Sequence, residues 1–170
     1  MKRFVLTAAV AICAATPVLA QQSAQTATAE FVGKDGKETG RAALTAGKDG
    51  VLIEAEVTGL PPGTWVAFHV HETGECDATH GHESAGGHFN PGKTEHGFLA
   101  ANGPHAGDMP NQYVGSDGVM RAQVFNSFIR LDDDTTGVRG RALMIHAKSD
   151  DNRSQPTGDA GERLACAPIR

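Results

Sequence analysis

Trp65-Val66-Ala67-Phe68-His69-Val70-His71 is the stretch on which both the fold and the chemistry turn. Val66, Phe68 and Val70 fall on one face of an extended chain, so His69 and His71 fall together on the other. A strand of this kind turns its apolar side to a core. It carries two imidazoles side by side on the opposite surface, on a platform stiffer than a loop. The residues around it repeat the theme. Seven of the eight histidines lie between His69 and His105, together with Cys76 and Asp108, and the eighth, His146, ends a later apolar run. Imidazole binds zinc, copper, iron and nickel, and a carboxylate adds a hard oxygen ligand. The first expectation is therefore a metal site holding more than one metal.

Outward from this stretch the chain reads as short strands between turns. Asp-Gly turn signals stand in Lys34-Asp35-Gly36-Lys37 and Gly47-Lys48-Asp49-Gly50, with a strand near 38–45 between them. Val51, Ile53, Ala55 and Val57 alternate with Leu52, Glu54, Glu56 and Thr58, the two-residue period of a half-buried strand. Pro61-Pro62 marks a turn. Residues 72–112 are rich in glycine and lack a period, so they read as a long functional loop. Val119–Phe125, Phe128–Leu131, Arg141–Ala147 and Arg163–Ile169 read as further strands, Asp132-Asp133-Asp134 as a solvated turn, and 148–162 as a second irregular segment. About eight short strands and no long amphipathic helix imply an all-β chain, an antiparallel sandwich or barrel with two long loops.

Lys2 and Arg3 precede an apolar run from Phe4 to Ala15, and Val18-Leu19-Ala20 forms a small-residue cleavage signal. Residues 1–20 read as a signal peptide cleaved near Ala20, residues 21–27 as a mobile leader, and 28–170 as one domain. Removal of the signal deletes Cys13 and takes the formal charge from -5 to -7. An acidic exported chain argues against nucleic-acid binding. No later segment is apolar enough to span a membrane. The expected location is the periplasm or the exterior, where Cys76 and Cys166, the remaining cysteines, fit one disulfide.

The donor set divides by chemistry. Three histidines with a carboxylate suit tetrahedral zinc, and three or four imidazoles without one suit copper. His69, His71 and His146 sit at strand ends; His88, His96, His105 and Asp108 sit on the long loop. The two sets need seven residues if His88 serves both. Spacing alone does not show that sharing.

Five motifs carry a resemblance. They are Phe68-His69-Val70-His71-Glu72, Ser84-Ala85-Gly86-Gly87-His88-Phe89-Asn90-Pro91, Gly103-Pro104-His105-Ala106-Gly107-Asp108-Met109-Pro110-Asn111, His146-Ala147-Lys148-Ser149-Asp150-Asp151 and Gly161-Glu162-Arg163-Leu164-Ala165-Cys166. In this order they resemble the copper/zinc superoxide dismutases, and the bacterial exported type in particular. The resemblance implies a flattened eight-stranded Greek-key barrel with one copper and one zinc per subunit. Copper would be held by His69, His71, His88 and His146, and zinc by His88, His96, His105 and Asp108. Asp150 would link His69 to His96 behind the metals. Arg163 would position the anion, and Cys76–Cys166 would tie the loop to the last strand. The implied reaction is dismutation of superoxide to oxygen and hydrogen peroxide, with His88 and Arg163 catalytic, protecting the cell envelope, in a homodimer. Three features depart from the pattern. Ala67 replaces a common Gly, the Cys76–His88 segment is longer than in eukaryotic members, and Asp151–Thr157 is shorter. The usual steering charges are thereby in doubt, with Lys93 and Arg153 as candidate replacements.

Two rival readings stand beside this one. A periplasmic copper-binding or delivery protein on the same domain would use His80 and His82 for transient capture, although a polar loop tip explains them more simply. A structural zinc sandwich would not need His69, His71 and His146 together. Trp65 reads as a rim aromatic without special role.

Overall fold

The computed structural model describes residues 25–170; the expected signal peptide with Cys13, and residues 21–24 of the expected leader, lie outside the described residues. Among the described residues nine strands form, in chain order: β1 (Thr26–Gly33), β2 (Glu38–Ala46), β3 (Val51–Val57), β4 (Trp65–Val66), β5 (Phe68–His71), β6 (Gln112–Tyr113), β7 (Met120–Asn126), β8 (Ala142–His146) and β9 (Arg163–Pro168). Seven of them make one antiparallel sheet in the order β5-β8-β9-β1-β2-β3-β7. The fold is all-β, as the turn-punctuated sequence implies. β1 starts at Thr26, so the last two residues assigned to the leader belong to a strand.

Alternation decides the inner face. β3 and β7 bury every second residue, Val51, Ile53, Ala55 and Val57 against Met120, Ala122 and Val124. The core also takes in Phe31, Leu44, Phe68, Ile129, Leu143, Ile145 and Ile169. The outer face of the same strands is polar. Glu30 pairs with Arg41, Arg41 with Glu56 and Glu56 with Arg121, a row of alternating charge across four strands.

Two of the expected strands change. The stretch from Trp65 to His71 is not one strand but two that divide at Ala67. β4 pairs with β6, whereas β5 pairs with β8. Ala67 bonds at the end of β8 and just beyond it: its carbonyl accepts from His146 N and its N–H donates to Lys148 O. The chain thereby switches partners, and the β4–β6 ribbon connects the two edges of the main sheet. β4 runs on into β5, and Val114, just after β6, bridges Met120 of β7. Phe128–Leu131 is also no strand. Ile129 and Leu131 are buried, which produces the alternation. However, the backbone around Arg130 bonds to its own following turn, through Arg130 N to Thr136 O and Val138 N to Arg130 O. Alternation reports a buried side, not a ladder.

The polar face of β5 is not at the surface. All four residues of β5 and all five of β8 are buried. The core covers one side of these strands and the long loop covers the other. Ala142 and Met144 on the loop side pack with Cys166 of β9, Ala85 and Cys76. Cys76 and Cys166 form a disulfide with Cα atoms 5.6 Å apart, which fastens the loop over β9.

Candidate metal centre

β5 carries His69 and His71, and β8 carries His146 on the same loop-covered face. The free edge of β5 is occupied by the loop: Val70 N donates to Gly107 O, Phe89 N to Val70 O and Glu72 N to Gly87 O, at 2.8–3.0 Å. This pairing sets His71 opposite His88 and His69 opposite Asp108. Strand register and loop docking together bring the seven predicted ligands into two clusters that share His88. One is His69, His71, His88 and His146; the other is His88, His96, His105 and Asp108; all of these residues are buried.

The first cluster has its lone pairs directed inward. A carbonyl or ionised carboxylate only accepts, so each such partner fixes a ring tautomer. His71 Nδ1–H donates to Gly86 O at 3.0 Å and His146 Nδ1–H to Gly161 O at 3.3 Å. His69 Nε2–H donates to Asp150 Oδ2 at 2.7 Å. The remaining nitrogens carry lone pairs. His71 Nε2 and His146 Nε2 face each other at 3.3 Å, and His69 Nδ1 and His88 Nε2 are buried without a partner. Burial keeps the His71, His88 and His146 rings uncharged. It lowers His71 well below the ordinary imidazole value and brings His88 down to about 4 and His146 to about 3. Opposed lone pairs in a dry site repel unless a cation lies among them, so this donor set fits copper.

The second cluster is organised by acid. Asp108 Oδ2 accepts from the backbone N–H of Gly97 at 2.9 Å and His105 at 3.0 Å. Its Oδ1 faces the Nδ1 atoms of His88, His96 and His105 at 3.2, 3.1 and 3.5 Å. A tetrahedral ion with bonds of ~2.0–2.1 Å needs ligand atoms ~3.3 Å apart, which these spacings match. His96 Nε2–H donates to Asp150 Oδ1 at 3.0 Å. Burial opposes charge on His96, but its bonds to Asp108 and Asp150 prevail and hold its pKa up to about 9. Burial also opposes ionisation of the two acids. The hydrogen bonds around them outweigh it and hold both carboxyls well below the ordinary range. Three imidazoles and one carboxylate at these distances fit zinc.

Asp150 joins His69 to His96, as the resemblance implies. The residues that hold Asp150 were not legible as single letters. Asn111 exchanges two hydrogen bonds with its backbone, at 2.8 and 2.7 Å. Gly158 has φ +69°, and a Cβ there would fall into the Asp150 carboxylate and against His96 Nε2. Gln155 bonds both the N–H and the carbonyl of His96. Asn111 at least lies inside a recognisable motif, whereas Gly158 and Gln155 lie in an irregular segment with no pattern.

Arg163 stands opposite His146 in the β8–β9 pairing. Its Nη1 donates to His82 O and its Nη2 to Gly86 O, each at 2.7 Å. It opens onto a cleft of about 350 Å³ lined also by Lys34, Gly81, Glu83, Gly161 and Glu162. Neither Lys93 nor Arg153 lines this cleft. The cation there besides Arg163 is Lys34, bonded to Glu162 at 2.6 Å. The two spare histidines differ. His80 is exposed and bonded to Asp77 Oδ2 at 2.6 Å, as a loop tip should be. His82 is fully buried, contrary to expectation. Trp65 is 56% exposed and packs on Tyr113, the rim position expected of it.

The family described as copper/zinc superoxide dismutase matches residues 38–169, which include every ligand candidate. A superoxide dismutase [Cu-Zn] of Aquifex aeolicus is 44% identical over 146 residues, covering 84% of this chain and 86% of that protein. The crystal structure of a SOD-like protein from Bacillus subtilis superposes with a TM-score of 0.79 at 34% identity, covering 82% of this chain and 95% of that one. The Cu/Zn superoxide dismutase of Brucella abortus does so with a TM-score of 0.71 at 27% identity, covering 86% of this chain and all of that one. On this evidence the chain belongs to the copper/zinc superoxide dismutase family.

Proposed function

We propose that this chain dismutes superoxide, converting two superoxide anions and two protons to oxygen and hydrogen peroxide. The observation that carries the reading is the fusion of two complete ligand sets at His88, with the Arg163 guanidinium beside the copper set. His69, His71, His88 and His146 would hold copper, and His88, His96, His105 and Asp108 would hold zinc. Copper held there would supply one-electron redox chemistry toward superoxide, and zinc would supply charge without redox chemistry.

The chain's own groups do the rest. Arg163 offers Nη donors and a permanent charge to the anion. Its bonds to two carbonyls leave little freedom to reorganise. His88 holds a proton at Nε2 in one half of the cycle and releases it to departing peroxide in the other. The carbonyls of Gly86 and Gly161 keep His71 and His146 in the tautomers that direct Nε2 inward. The formal charge of -7 expected of the mature chain opposes an anionic substrate, so attraction must be local, at Arg163, since Lys34 is paired with Glu162.

Export to the periplasm, suggested by the first twenty residues, is consistent with the oxidised Cys76–Cys166 pair. No helix among the described residues is long and apolar enough to cross a membrane. The acidic charge speaks against nucleic-acid partners, and a homodimer is the assembly the resemblance implies; light scattering on the mature protein would test it. The copper-delivery reading loses its support, since His82 is buried and His80 is engaged by Asp77.

The test is superoxide consumption by the mature protein with copper and zinc quantified in the same sample. Consumption far above the uncatalysed rate, lost in His146→Ala, is expected. Full copper occupancy with no such consumption would overturn the reading.

A further inference from the structure

His82 lies outside both ligand sets, yet it is completely buried, and neither ring nitrogen makes a hydrogen bond of ordinary geometry, the Gly33 backbone being the polar group that approaches the ring. A buried imidazole without a well-formed hydrogen bond is less favourable than an apolar ring of the same size. Its main chain explains why a histidine is tolerated here. His82 has φ 60° and ψ 23°, the left-handed region, in the turn before the short 3₁₀ helix Glu83–Ala85. Histidine is several-fold enriched among the non-glycine residues found there, whereas bulky apolar residues are true outliers. Glycine would meet the backbone demand but leave the buried space empty.

The turn is fixed on both sides. His82 N donates to Asp77 O at 2.8 Å, and Ala85 N donates to His82 O at 3.1 Å. The same carbonyl accepts Arg163 Nη1. Gly86, four residues on, accepts both Arg163 Nη2 and His71 Nδ1. Rotation of His82 out of the left-handed region would swing its carbonyl away and leave the guanidinium on one anchor.

We propose that His82 is a positioning residue for Arg163: its buried ring pins a left-handed turn whose carbonyl, with that of Gly86, holds the guanidinium toward the anion. This rests on the assignment of Arg163 as the anion-binding group. His82 touches no ligand nitrogen and acts only through Arg163.

The test compares the parent holoenzyme, in its diamagnetic copper(I) form, with His82→Ala and His82→Asn. The first readout is the ¹⁵N–¹H pattern of Arg163. A guanidinium held at two Nη atoms shows separate Nη–H signals; a released one shows averaged signals. The second is azide affinity of the copper(II) form. His82→Ala loses both ring and left-handed tolerance, so averaged Arg163 signals and about tenfold weaker azide binding are expected. His82→Asn keeps the tolerance and is expected to retain separate signals, with azide affinity between the other two. Parent-like signals and affinity in His82→Ala would overturn the proposal. If that variant does not fold, His82→Asn decides, since its azide affinity must fall below the parent's. The Arg163 signals read the anchor whether or not the protein consumes superoxide, so failure of the catalytic reading would be seen separately.

Discussion

His71 and His146, on the copper side of His88, stand on strands and are oriented by backbone carbonyls; His96 and His105, on the zinc side, stand on a loop and converge on a carboxylate. The two constructions bear charge differently. On the copper side burial holds His71 well below the ordinary imidazole value and pushes His146 down to about 3. The zinc side keeps Asp108 ionised inside the protein, and His96 is held up to about 9. Register places the strand-borne ligands, and the Gly86 and Gly161 carbonyls and Asp150 aim their rings. A loop-borne set needs an acid to gather it, and a disulfide and Asp150 to keep it in place.

If the two sides are built separately around one shared ring, they can be lost separately. Asp108→Asn removes the charge that gathers the zinc side. It is expected to cut zinc affinity by more than about 100-fold while copper stays near one per chain. His146→Ala should do the reverse. Metal analysis after dialysis against graded chelator checks both, and joint loss of the metals in either variant would break the comparison.

The disulfide acts on the loop rather than the strands. Its sequence separation is 90 residues. Replacing both cysteines by alanine is expected to cost ~4–5 kcal/mol on chain-entropy grounds. For a domain of this size that lowers Tm by about 10 °C or more. Calorimetry measures the loss, and zinc should be released before copper as the variant is warmed.

Gly158→Ala is a finer probe. A Cβ there intrudes on the Asp150–His96 bond and must adopt φ +69°. Zinc affinity is expected to fall by about tenfold, with copper less affected because His71 and His146 do not depend on Asp150. An unchanged zinc affinity would show that Asp150 is not needed to orient His96.

The smallest effect is expected at the loop tip. Asp77 is lowered to about 2, by Thr79 first and His80 next, and its bond to Asp77 raises His80 above the ordinary 6.5. The Asp77 contribution is present above its ordinary value of 3.8 and is lost as pH falls through about 2. The His80 contribution is full below pH 6.5 and is lost as pH rises through its raised pKa. An NMR titration should show His80 above 6.5 in the parent and back near 6.5 in Asp77→Asn. Metal content and superoxide consumption should not change. A loss of copper uptake would restore a capture role to His80.

How far the sequence discloses this design differs between the same two regions. The strands were readable because alternation and Asp-Gly turns are local signals, and β2, β3, β7, β8 and β9 lie where those signals put them. Local signals do not report partners. The switch at Ala67 and the missing ladder at Phe128–Leu131 depend on what lies alongside. They also do not report cover: His69 and His71 share a face as the period requires, but only the folded loop shows that the face is buried. Ligand identity came from motifs, whereas Gly158 and the left-handed turn at His82 act through backbone geometry, and Gln155 through a side-chain amide in a segment without a pattern.

The measurement that tests the shared centre most directly is copper and zinc affinity in His88→Ala, each by chelator competition against the parent. The account predicts that both affinities fall, because one ring supplies Nδ1 to the zinc side and Nε2 to the copper side. A variant that loses one metal and keeps parent-like affinity for the other would contradict it.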